Sequence, residues 1–248
     1  MRSRPVPSAT PEVHFAAVER RLAATYGPRP WHAHHDPLAE LIATVLSQHT
    51  SDVNTERAFR SLTTRFASWD DVLTAPTPAV ADAIRSGGLA AIKAPRIQAI
   101  LAAIAKERGS LNLDHLDARS LPEARRWLLS LPGVGPKTAA CVLLFAQGRP
   151  ALPVDTHVHR VAGRLGLLPT GASAAAAHDL LEPRLGGDRD RVYAFHLTMI
   201  AHGRAVCTAR RPFCDRCLLT ECCDYFALAA PFAANAGAPP LPAPPERG

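Results

Sequence analysis

LPGVGPKTA (residues 131–139) decides how the rest of this chain reads. A glycine-rich run ending in Lys137 and Thr138 suits two architectures: a phosphate loop after a strand, or a tight turn between two helices. A P-loop places glycine directly before its lysine, and here Pro136 stands there. The preceding EARRWLLS (residues 123–130) carries helical spacing, with no strand pattern. The dinucleotide fingerprint fails as well, because Thr138 occupies the place of its third glycine. What remains is helix, turn, helix. Pro132 ends the first helix, Gly133 and Gly135 permit positive φ and a close backbone approach, and Pro136 opens the second. N–H groups at such a turn can bind a phosphate without reading sequence, although a plain αα-hairpin accounts for the same residues.

Lys137 falls in the first turn of the second helix, where the helix dipole disfavours an ammonium. The same placement helps an amine lose its proton and act as a nucleophile. A residue that runs against its local rule points to function rather than stability. Eighteen residues later, in LPVDTHVHRVAGRLG, Asp155 reads as the N-cap of a further helix. An ionised aspartate there could also steady a developing cation or accept a proton beside Lys137.

Outward from this centre the chain reads as almost wholly helical. Ala, Leu, Arg and Glu recur at three- and four-residue spacing in 10–25, 37–49, 52–65, 77–87, 94–108, 121–130, 137–147, 156–166, 173–183 and 189–202. The fold class expected is all-α. From about residue 227 the composition turns to Ala and Pro, and 227–248 is expected to be a disordered tail. Lys93 with Arg96, at the start of a helix, reads as ordinary solvated surface.

The chain has 248 residues, and its 28 Lys and Arg against 22 Asp and Glu favour a polyanionic partner. No apolar run is long enough for a signal peptide or a membrane span, so an intracellular, cytoplasmic or nucleoid-associated protein is expected. Cys141 stands alone, and the other five cysteines crowd between residues 207 and 223. This argues for a reduced compartment and a local metal site rather than a disulfide framework. The spacing Cys207–x6–Cys214–x2–Cys217–x5–Cys223 can close around an iron-sulfur cluster or a tetrahedral zinc, with Cys222 left as a spectator.

The run LPGVGPKTAACVLLFAQGRPALPVDTHVHR (residues 131–160) resembles the helix-hairpin-helix and Gly/Pro…Asp signature of DNA glycosylases, and most closely the endonuclease III family. The resemblance covers about residues 10–226. It implies that Gly133 and Gly135 grip the DNA backbone, that Lys137 attacks C1′ of the damaged nucleotide, and that Asp155 assists. It also implies that Cys207, Cys214, Cys217 and Cys223 hold a 4Fe-4S cluster in preference to zinc, and that Arg210 and Arg211 on the cluster loop face phosphates. An enzyme that extrudes a base must fill the gap left in the stack. In the family a glutamine from an SxQTxD loop and a leucine from a second loop do so. Here SQHTSD (residues 47–52) puts His49 at the glutamine position with Gln48 one residue earlier, and GLAAIKA (residues 88–94) nominates Leu89.

The implied protein is a bifunctional glycosylase and abasic-site lyase for oxidised pyrimidines. It would act as a monomer on double-stranded DNA carrying damaged bases or abasic sites. The domains expected are an N-terminal segment 1–29 packing with a cluster domain 150–226, and a six-helix domain 30–149 holding the hairpin, the two flanking a cleft. A monofunctional glycosylase, or a non-catalytic DNA-binding module with a structural metal, would use the same residues differently. The histidines His32, His34 and His35 show no partner ligands for a metal site.

Overall fold

The computed structural model describes residues 10–229, so most of the Pro- and Ala-rich stretch expected to lack structure lies outside the described residues. Among these residues every regular element is helical, as the 3.6-residue periodicity requires. The α-helices are α1 (Pro11–Tyr26), α2 (Pro37–Leu46), α3 (Asp52–Arg65), α4 (Trp69–Thr74), α5 (Thr77–Ala83), α6 (Ala90–Arg108), α7 (Leu121–Ser130), α8 (Pro136–Cys141), α9 (Thr156–Arg164), α10 (Ala174–Leu181), α11 (Arg189–Ala205) and α12 (Asp224–Ala229). They fall into two compact units. One is Trp31–Pro153, and the other joins the residues up to Pro30 with those from Val154 onward.

The Trp31–Pro153 unit is built around α2. Asp36 caps its first turn by accepting from the N–H groups of Leu38 and Ala39 at 3.1 and 3.0 Å. Leu38, Leu41, Ile42, Val45 and Leu46 are buried against Ile97, Ile100, Leu101 and Ile104 of α6 and Leu143 after α8. A helix buried on nearly all sides is a core helix, so its two polar residues, Glu40 and Thr44, are conspicuous. Their four-residue spacing puts them on one face.

Several elements differ from the periodicity. The segment expected as 37–49 stops at Leu46, because Ser47 and Gln48 turn out of the helix into a left-handed His49. The segment expected as 77–87 breaks after Ala83 into a 3₁₀ turn, Arg85–Gly87. By contrast, α6 starts four residues earlier than expected. Helix α4 was not legible from spacing. It is too short for a period and forms through a capping box between Ser68 and Asp71. After Cys141 the helix widens into a π-type turn over Val142–Ala146, and Leu144 O there accepts from the Trp31 indole at 2.7 Å.

In the other unit α1 packs on α11. Phe15 stacks on Phe195 with ring centroids 5.1 Å apart, and Arg191 pairs with Glu19 at 2.7 Å. The His14 ring meets the carbonyl of Leu165 at 2.8 Å, tying α1 to the end of α9.

Candidate active site

The hairpin joins α7 to α8 through five residues. Gly133 has φ +74° and takes the left-handed region that closes the turn. An added Cβ there would stand 2.9 Å from the Arg96 side chain. Gly135 does not use the positive φ that glycine permits: its φ is −100°, ordinary extended backbone. A Cβ on it would meet nothing within 4 Å, so its lack of a side chain keeps open the space before α8 rather than permitting a strained conformation. As N-cap of α8 it contributes no side-chain cap.

Lys137, in the first turn of α8, is half-buried. Its charge acts on Glu40 of α2, and its amine hydrogen-bonds the thiol of Cys141 one turn along. Glu40 is 6% exposed. Burial pushes its carboxyl up to about 7, against the opposing pull of the Thr44 hydroxyl and the Lys137 charge. Thr44 Oγ1 donates to Glu40 Oε1 at 3.3 Å and also hydrogen-bonds Cys141. Burial raises the Cys141 thiol too, which keeps it protonated. Sequence reasoning missed Glu40, Thr44 and Cys141. The signal was there in two polar residues, four apart, within the otherwise apolar LAELIATVL (residues 38–46).

Asp155 belongs to the other unit. It is the N-cap of α9, its Oδ1 accepting from the N–H groups of His157 and Val158, both at 2.8 Å.

His49 and Leu89 share one property. Among the described residues they are the non-glycine positions with positive φ, at 55° and 50°. Such a conformation costs about 1–3 kcal/mol for an ordinary residue and clusters at functional sites. Both side chains are exposed, Leu89 by 49%. Gln48, by contrast, is half-buried and its Oε1 accepts from Arg96 at 2.9 Å, below the Gly133 turn. Of Gln48 and His49, His49 is therefore the one presented outward.

Lys93 is not the solvated surface expected of it. It is 1% exposed, and its ammonium donates to Leu46 O at 2.6 Å and Gly87 O at 2.9 Å. These carbonyls lie just before the His49 turn and the Leu89 turn, so one buried side chain pins both. Sequence reasoning read Lys93 with Arg96 as solvated surface and could not see that this helix lies over the ends of two other elements.

A cavity in the unit that holds Asp155 is lined by Cys207, Cys214, Cys217 and Cys223. Cys222 is buried and does not line it. All these thiols are free of disulfides. Burial, with the neighbouring sulfurs adding to it, pushes Cys223 up to about 11. Four thiolates are thus mutually unfavourable unless a cationic centre offsets them. Among the described residues no three such side chains are arranged for a single metal ion, and the four thiols ring the cavity instead. Arg164 of α9 donates to Cys207 Sγ at 3.3 Å and to the carbonyls of Thr208 and Ala209 at 2.7 and 2.9 Å. Leu219 N donates to Cys217 Sγ at 3.4 Å. Arg210 and Arg211 follow on the same loop, both exposed. The three early histidines pack on rings: His34 stacks on Phe145 at 4.6 Å and His35 lies 4.9 Å from Phe59.

The chain is similar to known proteins over much of its length. Residues 42–183 match the HhH-GPD superfamily base excision DNA repair protein family. A putative DNA glycosylase of Arabidopsis thaliana is 46% identical over 132 residues, 53% of this chain and 45% of that protein, so the match spans under half of its length. Endonuclease III of Thermotoga maritima is 34% identical over 198 residues, 79% of this chain and 86% of that enzyme. The solved structure of a non-covalent endonuclease III–DNA complex has a TM-score of 0.75 at 29% identity, covering 89% of this chain and 98% of that one.

Proposed function

The chain belongs to the endonuclease III family within the HhH-GPD superfamily, and from that premise we propose a bifunctional DNA glycosylase and abasic-site lyase that removes oxidised pyrimidines of the thymine glycol type. It is a DNA glycosylase of base excision repair, and its partner is DNA. The lesion class and the division of labour among residues are the proposal. Among the described residues no helix is long and apolar enough to cross a membrane.

In this reading the damaged nucleotide is extruded, Lys137 Nζ attacks C1′, and the base leaves. Asp155, held in place by its cap bonds, steadies the cationic sugar. The resulting Schiff base acidifies the 2′ proton, and β-elimination cuts the strand 3′ to the lesion. Leu89 and His49 fill the vacated stack, supported by their outward, left-handed placement. The hairpin around Gly133 and Gly135 holds the DNA backbone, and Arg210 and Arg211 meet phosphates.

Members of the endonuclease III family generally carry a 4Fe-4S cluster. Cys207, Cys214, Cys217 and Cys223 fit that donor set, since four free thiols line one cavity and Arg164 supplies a cation to the first. Held by these four cysteines, such a cluster would staple a loop too short to build its own core, a structural role without electron transfer in base removal. A colourless purified protein that contains zinc would overturn that assignment.

The observation that carries the reading is Lys137, half-buried at the start of α8, hydrogen-bonded to a thiol and acting on a buried carboxyl. Borohydride trapping on a thymine glycol duplex tests it. The wild type should give a covalent adduct that Lys137→Ala abolishes. Base release without trapping would instead assign a monofunctional glycosylase, and binding without base release a DNA-binding module.

A further inference from the structure

We propose that Glu40, linked to Lys137 through Thr44 and Cys141, receives the proton that the Lys137 ammonium must shed before its nitrogen can attack. The proposal rests on Lys137 being the nucleophile, and it adds a residue that the sequence signature does not contain.

The connection is continuous. Lys137 hydrogen-bonds Cys141, Cys141 hydrogen-bonds Thr44, and Thr44 Oγ1 lies 3.3 Å from Glu40 Oε1. One proton leaves Lys137 Nζ and one arrives on Glu40 Oε1. Cys141 Sγ and Thr44 Oγ1 each accept one and donate one, so both end as they began. The product is a neutral amine beside a neutral carboxyl, which suits a buried site better than an ion pair does. Both relay groups keep their protons near neutrality, Thr44 as a hydroxyl and Cys141 because burial raises its thiol.

The groups around Glu40 support this direction. Lys137 and Cys141 face it from α8, and Thr44 lies on its own helix. His34, from the segment before α2, approaches Glu40 Oε2 at 3.9 Å. Burial and the neighbouring His32 and His35 hold His34 below its ordinary value, so it does not neutralise the carboxylate at pH 7. A carboxyl raised to about 7 is matched to accepting a proton near neutral pH. Glu40 works through Lys137 rather than on the sugar, and is a positioning residue.

The test is the pH profile of borohydride trapping on an abasic-site duplex, using the full chain. The wild-type rate should rise with pH through about 7. Glu40→Gln should lower it about a hundredfold at neutral pH and remove that acid limb. Thr44→Val should reproduce the effect, while Thr44→Ser restores it. Binding to a duplex with a non-cleavable abasic analogue should stay unchanged in all three, which shows that they fold. Trapping with an unchanged profile in Glu40→Gln would overturn the role of Glu40 alone. A wild type that forms no adduct would overturn the Lys137 reading and this proposal with it.

Discussion

Lys93 and Lys137 sit alike in the sequence and differently in the structure. Each falls near the start of a helix of the Trp31–Pro153 unit, where the dipole disfavours an ammonium. Lys93 is buried against two main-chain carbonyls, which accept hydrogen bonds but cannot take up a proton. Its region is a clasp that holds the His49 and Leu89 turns. Lys137 is half-buried, hydrogen-bonded to a thiol and electrostatically coupled to a buried carboxyl, groups that can pass or accept a proton. Partner chemistry, and not position on the helix, separates a structural lysine from a reactive one.

The largest effect expected comes from exchanging the reactive residue. Lys137→Gln should reduce trapping by about a thousandfold or more, because the nucleophile is gone and Glu40 cannot replace it. The unfolding midpoint should move little, since the side chain is only half-buried. A large loss of stability instead would collapse the distinction between the two lysines.

Lys93→Met should show the opposite pattern. Leaving Leu46 O and Gly87 O without their donor should cost about 4 kcal/mol of stability, read by denaturant unfolding. Rates per folded molecule should change less than in Lys137→Gln.

The next prediction concerns pH. The Glu40 carboxyl is raised from 4.5 to about 7, so between those values the unfolded chain releases a proton that the folded chain keeps. The stability contribution of this group is therefore highest below pH 4.5 and declines as pH rises to about 7, by up to about 3 kcal/mol. Glu40→Gln should flatten that slope and be the more stable protein at pH 8. Equal slopes in the two proteins would mean that Glu40 does not hold its proton.

The smallest effect lies at the clasp. Leu89→Gly should relieve the left-handed strain and raise stability by about 1 kcal/mol, while lowering base release from lesion duplexes. A stabilised variant with full activity would separate Leu89 from the lesion.

Much of the architecture was legible from the chain alone. Segments 52–65 and 121–130 coincide with α3 and α7, because their apolar spacing and their Ser51 and Ser120 caps are local signals. Asp155 was legible as a cap for the same reason. The elements misjudged were those whose ends are set by distant contacts. Helix α2 stops where Lys93 takes the Leu46 carbonyl, and α6 begins at the strained Leu89.

The sequence by itself determined the helical class, the glycine hairpin with Lys137 in its second helix, the cysteine spacing, and the family. Those follow from hydrogen bonds and side-chain periods that span a few residues. Only the tertiary structure decided that the Lys137 charge acts on Glu40, that Lys93 is buried, that Gly135 is extended, and that His49 and Leu89 are left-handed. Burial and charge depend on what another helix brings to a residue, and in this chain α2 and α8 are ninety residues apart in sequence.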